Sequence, residues 1–360
     1  MGRSLRVSPG CIEQVKSAMR RNGFPSQKAL AEELRIGLST VKKILTGQPV
    51  DSSYFLEISE RLGLDWIDMA HQDETIPKPI FEETSAFITG TPITHPRYFF
   101  GRQKELNRLF NLLKHRPLQN AAIIGKRRSG KTSLLQYLTN ITTTPKEQLR
   151  PGQKSDWLSH PENYHWIFVD FQDSRRQNRE GLLGYILESL QMSVPNPCDL
   201  DRFMDVVSNN LHQPTVILLD EIGVGLQRCP ELDDGFWESL RSLATNQTNG
   251  NLGFVLAAPE SPIELATSTG HSSPFFNIFG YTTTLGAMTE PDARELIGSS
   301  PIPFPDEDVE WILTKSECWP LLLQILCRER LFSLEEGETG DDWRKEGLEQ
   351  LKPFADLKSI

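Results

Sequence analysis

A lysine and a threonine follow a glycine-framed loop in Gly125-Lys-Arg-Arg-Ser-Gly-Lys-Thr-Ser133, which fits the pattern G-x-x-x-x-G-K-[ST]. The apolar run Ala121–Ile124 before the loop predicts a buried strand. Leu134, Leu135 and Leu138 after it fall at helical spacing. A strand that breaks into a glycine loop and then a helix is what phosphate binding needs. Gly125 and Gly130 let the backbone curl, so that N–H groups of Ser129, Gly130, Lys131, Thr132 and Ser133 converge on one anion. Lys131 is expected to reach the β/γ-phosphates and to serve catalysis, and the Thr132 hydroxyl is expected to ligate Mg²⁺.

A second set of residues completes this chemistry. Thr215–Leu219 is an apolar run that ends in Asp220 and Glu221. Asp220 is expected to hold Mg²⁺, through water, and Glu221 at the strand tip to polarise an attacking water as the catalytic carboxylate. Trp166–Asp170, Leu252–Ala257 and Tyr281–Leu285 read as further strands, alternating with helices. The fold class is therefore α/β, a P-loop parallel sheet covered on both faces, with an additional strand between the loop strand and the Asp220 strand. No N-K-x-D follows, so the expected cofactors are ATP and Mg²⁺ rather than a guanine nucleotide.

Phe99-Phe-Gly-Arg-Gln-Lys-Glu-Leu106 resembles the hydrophobic-Gly-Arg-Glu-x-Glu-Leu box that opens ATPases of the AAA+/STAND superfamily. The likeness is strongest to ORC-like and AAA-like bacterial ATPases, including cyanobacterial ones with an N-terminal helix-turn-helix. It extends through Ser273–Phe279, Leu285–Ile297 and Ser316–Gln324, and so over residues 97–335. The resemblance implies that Phe100 and Gly101 lie by the adenine and that Pro320, on a helical lid, touches the nucleotide. A proline at the first position of a helix is also favoured for its own sake, because its missing N–H costs nothing there.

The chain departs from that family in one respect. Between Ser242 and Ala293 there is no lysine or arginine, although the arginine finger of ring-forming members normally lies in this stretch. A finger is worth about 10³–10⁵ in turnover, so slow hydrolysis is expected unless one is supplied from elsewhere. Arg241, Arg328 and Arg330 are the candidates. For the last two, a place near a helix C-terminus is sufficient explanation, since the dipole favours cations there.

The N-terminal fifty residues carry nine Lys/Arg against Glu13, Glu32 and Glu33, on a chain whose net charge is -10. Residues 51–90 reverse this balance. Apolar spacing predicts helices over 11–22, 27–34, 38–46 and 55–64, with Ser26 as a cap and a tight turn at Arg35-Ile36-Gly37. Ala31 is small where two helices joined by a short turn must cross. The pattern resembles a phage-repressor-type helix-turn-helix. By position in the motif, Leu38, Ser39 and Lys43 would face base edges, and Gln27, Lys28 and Lys42 would lie near phosphates. Arg35, where that family usually has glycine, departs from the pattern. The competing reading is a small helical module that docks protein. DNA binding would call for a dimer or larger assembly, since one module binds weakly.

The expected domains are 1–70 for the helix-turn-helix, 71–96 for a proline- and threonine-rich tether, 97–288 for the ATPase core and 289–360 for an α-helical lid. Lid helices are expected at 290–297, 307–314, 320–334 and 343–351. No membrane-spanning run and no secretory h-region occurs, and the five cysteines are scattered, so a reduced, cytoplasmic protein is expected. No repeats, protease motif or nuclease motif follow the lid. Sensing would therefore fall to the chain's own modules, to a homo-oligomer or to a separate effector protein. Three functional readings arise: a nucleotide-driven switch tied to DNA, a non-catalytic nucleotide-binding adaptor, and a target selector that oligomerises on DNA.

Overall fold

The computed structural model describes residues 4–8, 11–22, 24, 26–34, 36–62, 64, 87–338 and 340–357. The chain divides into two units, Met1–Thr84 and Ser85–Ile360. Arg35 and residues 65–86, which include most of the expected tether, lie outside the described residues.

In the first unit a two-residue strand β1 (Ser4–Leu5) pairs antiparallel with β2 (Val50–Asp51). Sequence patterning gave no sign of this pair, because two residues carry no periodicity. Among the described residues four helices accompany it: α1 (Ile12–Arg21), α2 (Gln27–Glu33), α3 (Leu38–Leu45) and α4 (Ser52–Arg61). Ser26 caps α2, its Oγ accepting from the Ala29 N–H at 3.2 Å. Val15, Ala18, Leu30, Ala31, Val41, Ile44, Phe55 and Ile58 make one buried core.

The second unit is built on a five-stranded sheet. Its strands are β3 (Ala121–Ile124), β4 (His165–Asp170), β5 (Thr215–Asp220), β6 (Leu252–Ala258) and β7 (Tyr281–Thr284). Their order is β4-β5-β6-β3-β7, and every pairing is parallel. Every residue of β5 and of β6 is buried, as expected of strands covered on both faces. β6 lies between the loop strand β3 and the Asp220 strand β5. The C-terminal ends of all five strands therefore open on one edge of the sheet, among them the ends of β3 and β5 that carry the expected chemistry.

Alternation along the strands separates two cores. Ala121, Ile123, Val216, Leu218, Val255 and Ala257 face α5 (Gln103–Leu113) and α6 (Lys131–Asn140). Ala122, Ile167, Val169, Ile217, Leu219, Phe254 and Leu256 face the other way. There they meet α7 (Arg179–Ser189), α8 (Leu200–Asn210), α9 (Ile222–Arg228), α10 (Asp234–Ser242) and α11 (Pro262–Ser268). Trp237 sits at the centre of this side, ringed by Phe236, Phe275 and Phe276.

A third core belongs to α12 (Glu290–Ile297), α13 (Asp306–Ser316), α14 (Pro320–Glu335) and α15 (Asp342–Leu351). α14 is buried without a break from Leu321 to Cys327, which makes it the central helix of this bundle. Asp308 is 5% exposed and lies between two arginines, Arg330 at 2.8 Å and Arg344 at 2.7 Å. Residues 87–96, expected to belong to the tether, instead pack onto this unit. Phe87 is 1% exposed in the helical core, and Ile93 lies against the α5/α6 side of the sheet. Among the described residues, no helix is long and apolar enough to cross a membrane, and Cys198, Cys229, Cys318 and Cys327 are thiols outside any disulfide.

Candidate functional site

The glycine loop is held between the ends of two strands. The Gly125 N–H donates to the Ala258 carbonyl at 3.2 Å, and the Leu285 N–H donates to the Ile124 carbonyl at 2.7 Å. Gly125 has φ 155°, and a Cβ there would lie 2.5 Å from the Leu285 carbonyl oxygen. No other residue fits that approach. Gly130 has φ 96° and turns the chain into α6.

Lys131 folds back on the loop, its Nζ donating to the carbonyls of Gly125 at 2.7 Å and Lys126 at 3.0 Å. Burial lowers its pKa, while Glu221 and then Asp220 pull it up again. Burial raises the Asp220 pKa to about 6, and neighbouring Glu221 and Asp170 add to the rise. The Thr132 hydroxyl stands near the Asp220 carboxylate and holds its pKa down against that rise. In register, Asp170 ends β4 directly beside Asp220.

Glu221 follows with φ 52° and ψ 38°, a left-handed conformation, and opens α9. Such a conformation costs a non-glycine residue roughly 1–2 kcal/mol. Here it swings the carboxylate off the strand line and into a cleft.

The cleft has a volume of about 400 Å³. Gly130, Lys131, Thr132, Ser133 and Glu221 line it, together with Pro320, Leu321 and Gln324 of α14. Pro320 therefore opens its helix and faces the cleft at once. Gly125, Ser129 and Asp220 are buried and do not line it. Ser129 Oγ is buried and, among the described residues, has no hydrogen-bond partner. That orphaned hydroxyl, and the glycine-only cradle around it, fit a phosphate group. The all-oxygen set of Thr132 and Asp220 fits Mg²⁺.

Several site residues were not visible in the sequence. Residues 88–93 form a strap that lines the cleft. The Ile88 N–H donates to Gln324 Oε1 at 3.0 Å, Arg128 donates to the Gly90 carbonyl at 3.1 Å, and the Ile93 N–H donates to Ser133 Oγ at 3.0 Å. Asn140 adds a bond to the Thr94 carbonyl at 2.6 Å. Ser133, expected to meet nucleotide, thus holds the strap through its hydroxyl. Isolated apolar residues, Phe87, Ile88 and Ile93, were the only signal within a Pro/Thr-rich stretch. Gln172 and Arg127 also line the cleft.

Phe100 and Gly101 are not among the lining residues. Phe100 is buried with the Arg150 guanidinium 4.0 Å from its ring centroid, and a Cβ on Gly101 would meet Asp292 at 2.7 Å. The next residue, Arg102, is buried and donates to the carbonyls of Gly286 and Ala287, so the box ties α5 to the segment after β7.

The three candidate finger arginines are elsewhere. Arg330 is committed to Asp308, and Arg328 to Glu329 and to the Thr89 hydroxyl of the strap. Arg241 is exposed in the last turn of α10. None of them lines the cleft.

In the first unit, Leu38, Ser39, Lys42 and Lys43 are exposed on α3, opposite its buried Val41, Ile44 and Leu45. On α2, Lys28 is exposed and Gln27 half-buried.

Neither a family model nor a curated protein sequence matches this chain. Solved structures do. The Walker-type ATPase of Pyrococcus abyssi superposes with a TM-score of 0.51 at 17% identity, over 74% of this chain and 76% of that one. The ORC2 protein of Aeropyrum pernix in its ADP form gives 0.53 at 12% identity, over 73% and 71%. The same protein in its ADPNP–ADP complexes gives 0.52 at 13%, over 76% and 74%. At such identities the likeness is one of fold: the second unit has the α/β P-loop architecture of these ATPases.

Proposed function

We propose that the chain is an ATP-binding, slowly hydrolysing switch of AAA+/STAND type, coupled to a DNA-binding N-terminal helix-turn-helix. The observation that carries this reading is the single cleft onto which the glycine loop, Glu221 and Pro320 converge. Gly125, Ser129, Gly130 and Lys131 would hold the phosphates. Thr132 and Asp220 would hold Mg²⁺, whose chemistry is to neutralise phosphate charge. Glu221 would orient and deprotonate the attacking water. Closure of α14 over the nucleotide would bring Pro320 and Gln324 against it, and hydrolysis would release them. With Arg328 and Arg330 committed elsewhere, a slow cycle suits a switch better than a motor.

For the N-terminal unit, the exposed Ser39, Lys42 and Lys43 on α3 support DNA contact, with Gln27 and Lys28 nearby in sequence toward phosphate. A self-assembling state on DNA follows from the weakness of one such module, and regulation of transcription, of a mobile element or of a phage response would suit it.

The test is the ATPase rate and the oligomeric mass, each with and without DNA, for wild type, Lys131→Ala and Glu221→Gln. The switch reading expects measurable turnover in the wild type, none in either variant, and nucleotide retained by Glu221→Gln. No turnover in the wild type would leave the adaptor, and no response of rate or mass to DNA would remove the DNA-coupled readings.

A further inference from the structure

Four of the residues from Gly125 to Lys131 are cations: Lys126, Arg127, Arg128 and Lys131. Three of them have assigned positions. Lys126 Nζ donates to the Asp356 carbonyl at 3.1 Å and lies over the Trp319 ring. Arg128 holds the Gly90 carbonyl of the strap, and Lys131 caps its own loop. Arg127 differs from all three. It is exposed, it lines the cleft, and among the described residues no hydrogen bond or ion pair engages its side chain.

Arg127 also stands close enough to Lys131 for the two positive charges to act on each other, within a wall that includes Glu221. Two cations facing one cavity without an anion between them repel. An anion placed between them removes that cost and gains both attractions. A guanidinium presents a planar fork of donors that matches phosphate oxygens in pairs, which an ammonium cannot do. A triphosphate differs from a diphosphate by one more charged phosphoryl group, so a free cation at the rim of a phosphate loop is a means of telling the two apart.

We propose that Arg127 is the cation that recognises the terminal phosphate of a bound nucleoside triphosphate, in cis, and so sets the preference of this cleft for triphosphate over diphosphate. The inference rests on the reading of the cleft as a nucleotide site. This binding preference is distinct from the rate-enhancing part of an arginine finger, for which the stretch from Ser242 to Ala293 holds no lysine or arginine. Exposure at the loop tip means that replacement leaves the fold intact.

The experiment is a calorimetric titration of ATP and of ADP, with Mg²⁺, into wild type, Arg127→Ala and Arg127→Lys. Loss of a charged, paired hydrogen bond is expected to weaken ATP about 10- to 100-fold in Arg127→Ala, with ADP changed less than about 3-fold. Arg127→Lys, which keeps the charge and loses the fork, is expected to fall between. Equal weakening of both nucleotides, or of neither, overturns the assignment while leaving the nucleotide site standing. A wild type that binds neither nucleotide overturns the reading of the cleft itself. A matching melting temperature for the alanine variant confirms that the change is local.

Discussion

Lys131 Nζ lies 2.7 Å from the carbonyl oxygen of Gly125, so the loop lysine is bonded to the first residue of its own loop. A phosphate that enters must take this ammonium over from two backbone carbonyls. Lys131→Ala removes a charged donor from the place where negative charge arrives, and ATP affinity is expected to fall about 100-fold or more, two bonds of this type each contributing roughly 1.5–3 kcal/mol. Displacement of a fluorescent nucleotide reads this directly. Unchanged affinity would mean that phosphate binds elsewhere.

Asp220 gives the second unit a pH-dependent stability in the absence of metal. Its folded pKa of about 6 exceeds the ordinary 3.8, so between these values the folded state binds more protons than the unfolded one. Stability therefore falls as pH rises from 3.8 to about 6, by an amount on the order of 3 kcal/mol at most, at 1.36 kcal/mol per unit. Asp220→Asn is expected to melt higher than wild type at pH 7.5, and the gap is expected to close toward pH 4. A pH-independent gap in melting temperature would refute the assignment.

The Asp308 carboxylate is the shared partner of Arg330 and Arg344 inside the helical bundle. Its removal leaves Arg330, itself 8% exposed, without a counter-charge. Asp308→Ala is expected to destabilise the protein by about 3–5 kcal/mol, visible as a lower urea midpoint. Arg330→Ala should likewise lower stability. An Arg330→Ala protein that melts like wild type yet loses turnover would instead mark Arg330 as a finger.

Gln324 holds the strap from α14 through the Ile88 N–H. Gln324→Ala strands that N–H, at a local cost of about 1–3 kcal/mol. Amide exchange at residues 88–93 is expected to accelerate, with exchange in β5 unchanged. Equal acceleration in both would indicate global loosening rather than release of the strap.

Lys42→Glu with Lys43→Glu tests the DNA reading of the first unit. If α3 faces a duplex, affinity should drop and the slope of log affinity against log salt should become shallower by about one for the Lys42 phosphate contact. Ser39→Ala should act on sequence preference rather than on this slope. Affinity and salt slope both unmoved by the double charge reversal would point to the docking reading.

Much of the second unit was legible in the sequence because its signals are local. Val216–Leu219 is apolar without a break because β5 is covered on both faces, and Asp220 follows as the charged residue that ends the strand. Residues 290–297 form the helix their pattern predicted, with Thr289 accepting from the Asp292 N–H and a proline in the first turn. What was not legible depends on distant partners. Residues 87–96 have the composition of a tether, and only the burial of Phe87 and the reach of Gln324 bind them to the body. Phe100 follows its box, yet Arg150, far along the chain, fixes its surroundings. The pairing of β1 with β2 is likewise a matter of two residues meeting across the first unit. Arg127 is a separate case: it was in view within the motif, but its lack of a partner became visible only once its neighbours' partners were known.

The strap's own bonds are made mostly by its main chain. Ile88 and Ile93 enter through N–H groups, Gly90 and Thr94 through carbonyls, while Gln324, Arg128, Ser133 and Asn140 supply side chains from the walls. The two sides of the contact consequently carry unequal information. Positions 88, 93 and 94 can drift among many residues and keep every one of these bonds, proline at 88 or 93 excepted because it lacks the donor. The wall residues cannot drift. A saturation library selected for nucleotide binding would thus record a tolerant strip of sequence pressed against an intolerant one, and the architecture of the cleft would be inherited through the walls rather than through the segment that covers them.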